Sequence, residues 1–194
     1  MLNEEKIIEY LKENLKEARF LHSIGVMDMA VKLAKIHSVD IINAKFAGLL
    51  HDVAKNMTNA ELISYCNENG IALDSIKLES PGMLHADVGA DIAKKKFLAN
   101  DEIVQAIKYH TLANEEMADL DKIIYIADLI EEGRDLPGLE PIREVAYRDL
   151  DECLVLALTY CIENVEERGK TIHPQSRSAL EAAIKRVEAK DKTL

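Results

Sequence analysis

The 194-residue chain has no tryptophan, and Phe and Tyr together supply only 5% of it. That scarcity excludes an aromatic platform on which successive bases stack, the usual device of single-strand binders. With four prolines and eight glycines, no stretch has the Pro/Gly/Ser composition of an interdomain linker, so one domain is expected over residues 1–194. Three cysteines occur (Cys66, Cys153 and Cys161) and no C-x-x-C pair. Cys153 and Cys161 stand too far apart along one expected helix to bond. All three are expected as reduced thiols, which points to a cytoplasmic protein. No apolar run reaches the length of a membrane span, and the opening "MLNEEKIIEYLKENL" is charged and amphipathic, unlike a signal peptide. Positive charge is also short: 24 Lys and Arg face 35 Asp and Glu, a net −11. Such a surface repels nucleic-acid polymers, while a small phosphorylated ligand held by local cations stays open. Neither G-x-x-x-x-G-K-[ST] nor G-x-G-x-x-G occurs, which argues against an NTPase of the P-loop kind.

What the sequence does have is helical periodicity almost throughout. Asn3 caps a helix with Ile7, Ile8, Leu11 and Leu15 on one face. A second helix aligns His22, Val26, Met29 and Leu33. Asp40 caps "IINAKFAGLLHDVAK", expected as one helix through Lys55. Thr58 and Glu61 form a capping box, and Gly70 ends that helix. Residues 70–82 read as irregular. Helices are expected over "MLHADVGADIAKKKFLA", "DEIVQAIKYH" and "ADLDKIIYIADLIEE", the last stopped by Gly133. After a turn-rich loop come two long helices, Arg143–Glu167 and Gln175–Lys190, with Leu154, Leu158, Cys161 and Ile162 as a stripe for core packing or for a homodimer interface. The expected fold is an all-α, orthogonal helical bundle.

Of six histidines, four fall on inward stripes: His22, His51, His85 and His110. His51 lies over Ala44 and Gly48, small residues that let another helix or a ligand come close. Asp128 stands in "KIIYIADLIEE", apolar on nearly every side. A carboxylate buried there needs a cationic partner, since isolated burial costs several kcal/mol. Imidazoles and carboxylates together suit Fe, Mn, Zn or Ni. His37, near a helix C-terminus, and His173, before Pro174, read as structural.

The order H…HD…H…H…D resembles the HD superfamily of metal-dependent phosphohydrolases. "RFLHSIGV" (19–26), "GLLHDVAK" (48–55), "LHADVGA" (84–90), "IKYHT" (107–111) and "YIADLIEEGRDLPG" (125–138) are similar to the YqeK-type family of symmetrical dinucleoside tetraphosphate hydrolases. Glu132 departs from that pattern, where a proline is expected. The resemblance implies an HD-type bundle with its metal-site core at 19–135 and the helices of 143–190 packed on it. It implies a metal held by His22, His51, Asp52 and Asp128, iron first, with manganese, zinc or nickel as alternatives. His85 and His110 then hold a second metal or face the substrate phosphates. Asp52, Lys55, His85 and His110 are the expected catalytic group. Lys55, projecting from the same helix face as Asp52, is expected on phosphate with Arg19, Thr111 and Arg134, and an imidazolium at His85 or His110 is expected to stabilise the leaving oxygen. The implied reaction cleaves diadenosine tetraphosphate (Ap4A) into two ADP. The alternatives are an HD phosphohydrolase acting on another nucleotide, a non-catalytic nucleotide sensor, and a helical scaffold with buried polar clusters. Phe20, Tyr109 and Tyr125 are the candidates for contact with a base, and the helix in "NMTNAELISY" with the loop after Gly70 is the candidate wall of the nucleoside side.

Overall fold

The computed structural model describes residues 2–192. Among them eleven α-helices and one 3-10 turn form the fold, and no strand occurs. They are α1 (Glu4–Asn14), α2 (Glu17–Ile36), α3 (Ile41–Leu50), α4 (Asn59–Asn69), α5 (Ser75–Glu79), α6 (His85–Phe97), α7 (Asp101–Tyr109), α8 (Asp119–Ile130), α9 (Glu140–Ala146), α10 (Leu150–Glu167) and α11 (Pro174–Asp191), with the 3-10 turn at Pro81–Leu84. α2, α3, α7 and α8 pack on one another around a core of Leu33, Leu49, Leu50, Ile103, Ile107, Ile123, Ile124 and Ile126, all fully buried. α10 and α11 pack together, and α10 also lies on α8. Leu154, Leu158 and Ile162 are buried within the chain, so that stripe is core. The three cysteines are free thiols.

The caps sit where the sequence places them. Asn3 and Asp40 accept from the third residue beyond them, and Thr58 with Glu61 makes the reciprocal box. Gly70 ends α4 in the left-handed region at φ 68°. His37 ends α2 and donates from Nε2 to the Ala146 carbonyl at 2.7 Å, while His173 caps α11 and pairs with Asp74.

Four boundaries differ from expectation. The third helix stops at Leu50, and residues 51–56 continue as tight turns with i to i−3 bonds, such as Lys55 N to Asp52 O. Leu49, Leu50 and Val53 are buried, and apolar residues alone do not distinguish a helix from tight turns, so the pattern did not mark the change of backbone. α8 ends at Ile130 rather than at Gly133, because Glu131 turns to extended backbone and its carboxylate folds inward. The helix expected over Arg143–Glu167 is two: Asp149 is extended and its side chain accepts from Asp151 N and Glu152 N, starting a new helix. Within 70–82, a short helix capped by Asp74 and the 3-10 turn replace an irregular loop.

The bundle is closed near the site by a close helix crossing. A Cβ on Gly48 would lie 2.9 Å from Met27 Cα, so α3 touches the backbone of α2. This is the close approach that the small residues beneath His51 implied.

Candidate metal centre

The candidate metal ligands and phosphate contacts arrive at one place. His22 comes from the first half of α2 and Asp128 from the end of α8. His51 follows α3, His110 follows α7, and His85 opens α6. Three of the imidazoles are thus set at helix ends, and each uses a carbonyl three residues back. Nδ1–H of His51 donates to Gly48 O at 2.7 Å, Nδ1–H of His110 to Ile107 O at 2.6 Å, and Nδ1–H of His85 to Gly82 O. For His51 and His110 these are C-terminal carbonyls that a helix leaves without a partner. The bonds fix the ring orientation and, in the neutral ring, leave the Nε2 lone pair aimed inward, the arrangement typical of metal-ligating imidazoles.

Asp52 is the hub. Its Oδ2 accepts from Arg19 Nη1 at 2.7 Å and lies 3.4 Å from His51 Nε2. Its Oδ1 lies 3.2 Å from His85 Nε2 and 3.6 Å from both His110 Nε2 and Lys55 Nζ. Burial acts to raise the Asp52 carboxyl, but the His51 charge and the facing His110 and His85 rings outweigh it and hold the group well below the usual range. Burial likewise acts to raise Asp128, and the His22 contact with the His51 charge reverses it, so Asp128 is also held low. Burial pushes His110 down to about 4, with His85 and His51 adding to the shift. Burial thus disfavours the charged form of His110, one of the two positions at which an imidazolium is expected.

The polar remainder tests whether a cation fits. His51 Nε2 and Asp52 Oδ1 are buried without a hydrogen-bond partner, which is costly unless something is bound there. His85 Nε2 and His110 Nε2 stand 3.0 Å apart, and two lone pairs that close repel unless a proton or cation intervenes. Two triads, His22–His51–Asp128 and His51–Asp52–His110, each gather their donor atoms within 4.8 Å of one another. Nitrogen and oxygen donors without thiolate, in this density, suit a first-row divalent metal. The residues present fit such an ion.

Beside the centre opens a cavity of about 820 Å³ lined by Lys16, Ala18, Arg19, Leu21, His22, Lys55, Asn56, Glu131, Gly133 and Arg134. Four cations therefore face one opening in a chain of net charge −11. Arg134 Nη2 donates to Asp128 Oδ1 at 2.7 Å and lies 3.4 Å from His22 Nε2. Lys55 Nζ donates to His85 Nε2 at 3.0 Å; it reaches the site from a turn rather than from a regular helix, and the i to i−3 bonding of that turn keeps it beside Asp52, three residues back. Thr111 Oγ1 lies 3.1 Å from both His85 Nε2 and His110 Nε2. Of the aromatic candidates, Phe20 packs against the core, Tyr109 lines a separate cavity of about 490 Å³, and Tyr125 is buried beside Cys161.

Glu131, Lys16 and Asn56 were not legible as site residues. Glu131 is the consequential one. It is 4% exposed, accepts from Gly133 N at 2.6 Å, and places Oε1 3.1 Å from His22 Nδ1. His22 alone among the four thus has a carboxylate rather than a carbonyl behind it. Replacing Glu131 by glutamine is expected to weaken metal affinity by about 10- to 100-fold with helicity retained; metal titration followed by circular dichroism checks both. Unchanged affinity would leave Glu131 with a packing role only.

The HD domain family model matches residues 19–133. A protein of Halalkalibacterium halodurans named "Bis(5'-nucleosyl)-tetraphosphatase, symmetrical" is 33% identical over 90% of this chain and 94% of its own length. One of Staphylococcus aureus with the same name is 37% identical over 75% of each chain. A crystal structure from Clostridium acetobutylicum, described as a "predicted HD superfamily hydrolase involved in NAD metabolism", superposes with a TM-score of 0.92 at 37% identity, covering 96% of this chain and 99% of that one.

Proposed function

The chain belongs to the HD domain family, and from that premise we propose that it hydrolyses dinucleoside tetraphosphates, cutting Ap4A symmetrically into two ADP. One observation carries the reading: imidazoles and two carboxylates converge beside a cavity lined by Lys16, Arg19, Lys55 and Arg134. A divalent metal belongs to this chemistry, and iron is the proposed ion. His22, His51, Asp52 and Asp128 would hold it, with His85 and His110 either holding a second ion or facing phosphate. The bound cation supplies Lewis acidity and makes water a nucleophile near neutral pH.

The chain's own groups do the rest. Arg19, Lys55 and Arg134 draw the polyphosphate to the centre and screen its charge as the anhydride bond lengthens. Lys55 Nζ, already donating to His85 Nε2 at 3.0 Å, is the cation nearest the inner imidazoles and is placed to donate to a bridging or leaving oxygen. Neutral His110 offers Nε2 as an acceptor, and Thr111 Oγ1 supplies a short donor beside it. A nucleoside diphosphate is a good leaving group, so no strong general acid is required. Symmetry of cleavage follows if the opening grips one diphosphate and brings the second phosphorus against the centre.

The test is hydrolysis of Ap4A by metal-loaded protein in ¹⁸O-labelled water. ADP as sole product, with one label per pair, is expected, and a chelator should abolish the reaction with recovery on adding metal. ATP with AMP as products, or turnover confined to mononucleotides, would overturn the proposal.

A further inference from the structure

The turn that follows α8 carries two groups of the site, and an arginine from α9 spans it. α8 stops at Ile130, and Arg134 N donates to Glu131 O at 2.9 Å, which closes a turn over residues 131–134. Glu131 stands at its start, with Oε1 3.1 Å from His22 Nδ1. Arg134 stands at its end, with Nε donating to Asp128 O at 3.0 Å and Nη2 to Asp128 Oδ1 at 2.7 Å. Arg143 reaches across from α9. Its Nε donates to Ile130 O at 3.2 Å and its Nη2 to Arg134 O at 2.7 Å. One carbonyl lies just before the turn, and the other belongs to its last residue.

We infer that Arg143 is a positioning residue: it holds residues 131–134 so that Arg134 stays aimed into the wide cavity, and it touches neither substrate nor metal. The inference rests on the reading above that Arg134 binds the substrate's phosphates. Three features carry it. Ile130 O is one of the carbonyls that α8 leaves without a helical partner, and a cation there is favoured by the helix dipole. Nε and Nη2 share one edge of the rigid guanidinium, so the two carbonyls are kept at a fixed separation, which an ammonium on a flexible stem cannot impose. The ion pair of Arg143 with Glu140 is long, at 3.4 Å, so its better bonds go to main chain and not to a charge. The base of the clamp is also firm. Leu139, Ile142 and Ala146 are buried, and His37 Nε2 donates to Ala146 O at 2.7 Å. The turn has less to hold it, since residues 132, 133 and 135–138 are exposed. Once a phosphate takes over the Nη2 donor of Arg134 from Asp128, the clamped backbone and the Nε bond to Asp128 O are what keep that side chain in place.

The experiment measures ADP binding by calorimetry, on metal-loaded protein of matched metal content. It compares the unaltered chain with Arg143→Lys, Arg134→Gln and the double variant. Arg134→Gln is expected to weaken ADP binding by about tenfold, the loss of one charged hydrogen bond. Arg143→Lys, which keeps the charge, is expected to weaken it by about three- to tenfold. In the Arg134→Gln background the lysine substitution should change affinity by less than about twofold, because the guanidinium that Arg143 aims is gone while the carbonyls it holds remain. Equal losses in both backgrounds overturn the inference, and so does a lysine variant that binds ADP like the unaltered protein. Circular dichroism of the same samples should show the helices retained. A lysine variant that unfolds would make Arg143 a residue of the whole fold and overturn the inference as well. Full ADP affinity in Arg134→Gln removes its premise. Ap4A left intact by the unaltered protein sinks the hydrolase reading instead, and the binding cycle still decides the role of Arg143.

Discussion

Replacing Asp52 by alanine is expected to lower Ap4A turnover by at least about 10³-fold and to strip the protein of its metal, with the helices intact. Asp52 is the one acid that faces both halves of the centre: Oδ2 serves Arg19 and His51, and Oδ1 faces His85, His110 and Lys55. Its loss removes a donor from the His51–Asp52–His110 triad and frees Arg19 and Lys55 from the charge that holds them. Substrate phosphates would still be attracted by the four cations of the opening, so KM should move less than kcat. Metal stoichiometry, kcat and far-ultraviolet circular dichroism on the same sample separate these effects. Retention of more than about a tenth of the turnover, a loss below roughly 1.4 kcal/mol of transition-state stabilisation, would mean that the centre of the chemistry lies elsewhere.

The sequence announced the donors better than the backbone that delivers them. His22, His51, His85, His110 and Asp128 were legible because each interrupts an apolar stripe, where an unpaired polar group is expensive. The helix ends beside them were not. Leu49, Leu50 and Val53 are buried in a chain that turns after Leu50, and their apolar pattern reads equally well as a continued helix, so it carried the expected helix past Leu50. Yet the ends matter to the site, because the C-terminal carbonyls of Gly48 and Ile107 are what orient His51 and His110. Glu131 was hidden for a related reason. An acidic pair before Gly133 reads as a solvated helix end, and only the fold shows the first of the pair turned inward on His22. The joint of Lys122, Asp151 and Lys190, which ties α8 to α10 and α11, was equally silent: its charges lie far apart in sequence and on faces that read as exposed.

Glycine positions show how the scaffold and the centre can be perturbed separately. Gly48→Val is expected to destabilise the fold by at least about 3 kcal/mol, a fall in Tm of roughly 6–12 °C. Removing a glycine from a helix interior by itself gains up to about 1 kcal/mol. Here the added Cβ would stand 2.9 Å from Met27 Cα and 3.1 Å from both Met27 N and Val26 O. Those are backbone atoms of α2 and cannot swing aside, so α2 and α3 must separate, and the crowding outweighs the propensity gain. Gly25→Ala makes the instructive contrast. Its Cβ would meet Glu131 Oε2 at 2.5 Å, the far end of a side chain that can rotate away. The melting temperature should then stay within about 3 °C, because about 1 kcal/mol moves a chain of this size by only that much. Metal affinity should fall with the loss of the Glu131–His22 contact, to the same extent as in Glu131→Gln. Thermal melts and metal titrations on the two glycine variants decide the matter. A stable Gly48→Val protein would show that the α2–α3 crossing does not lock the fold, and a Gly25→Ala protein with full metal affinity would show that His22 does not depend on Glu131.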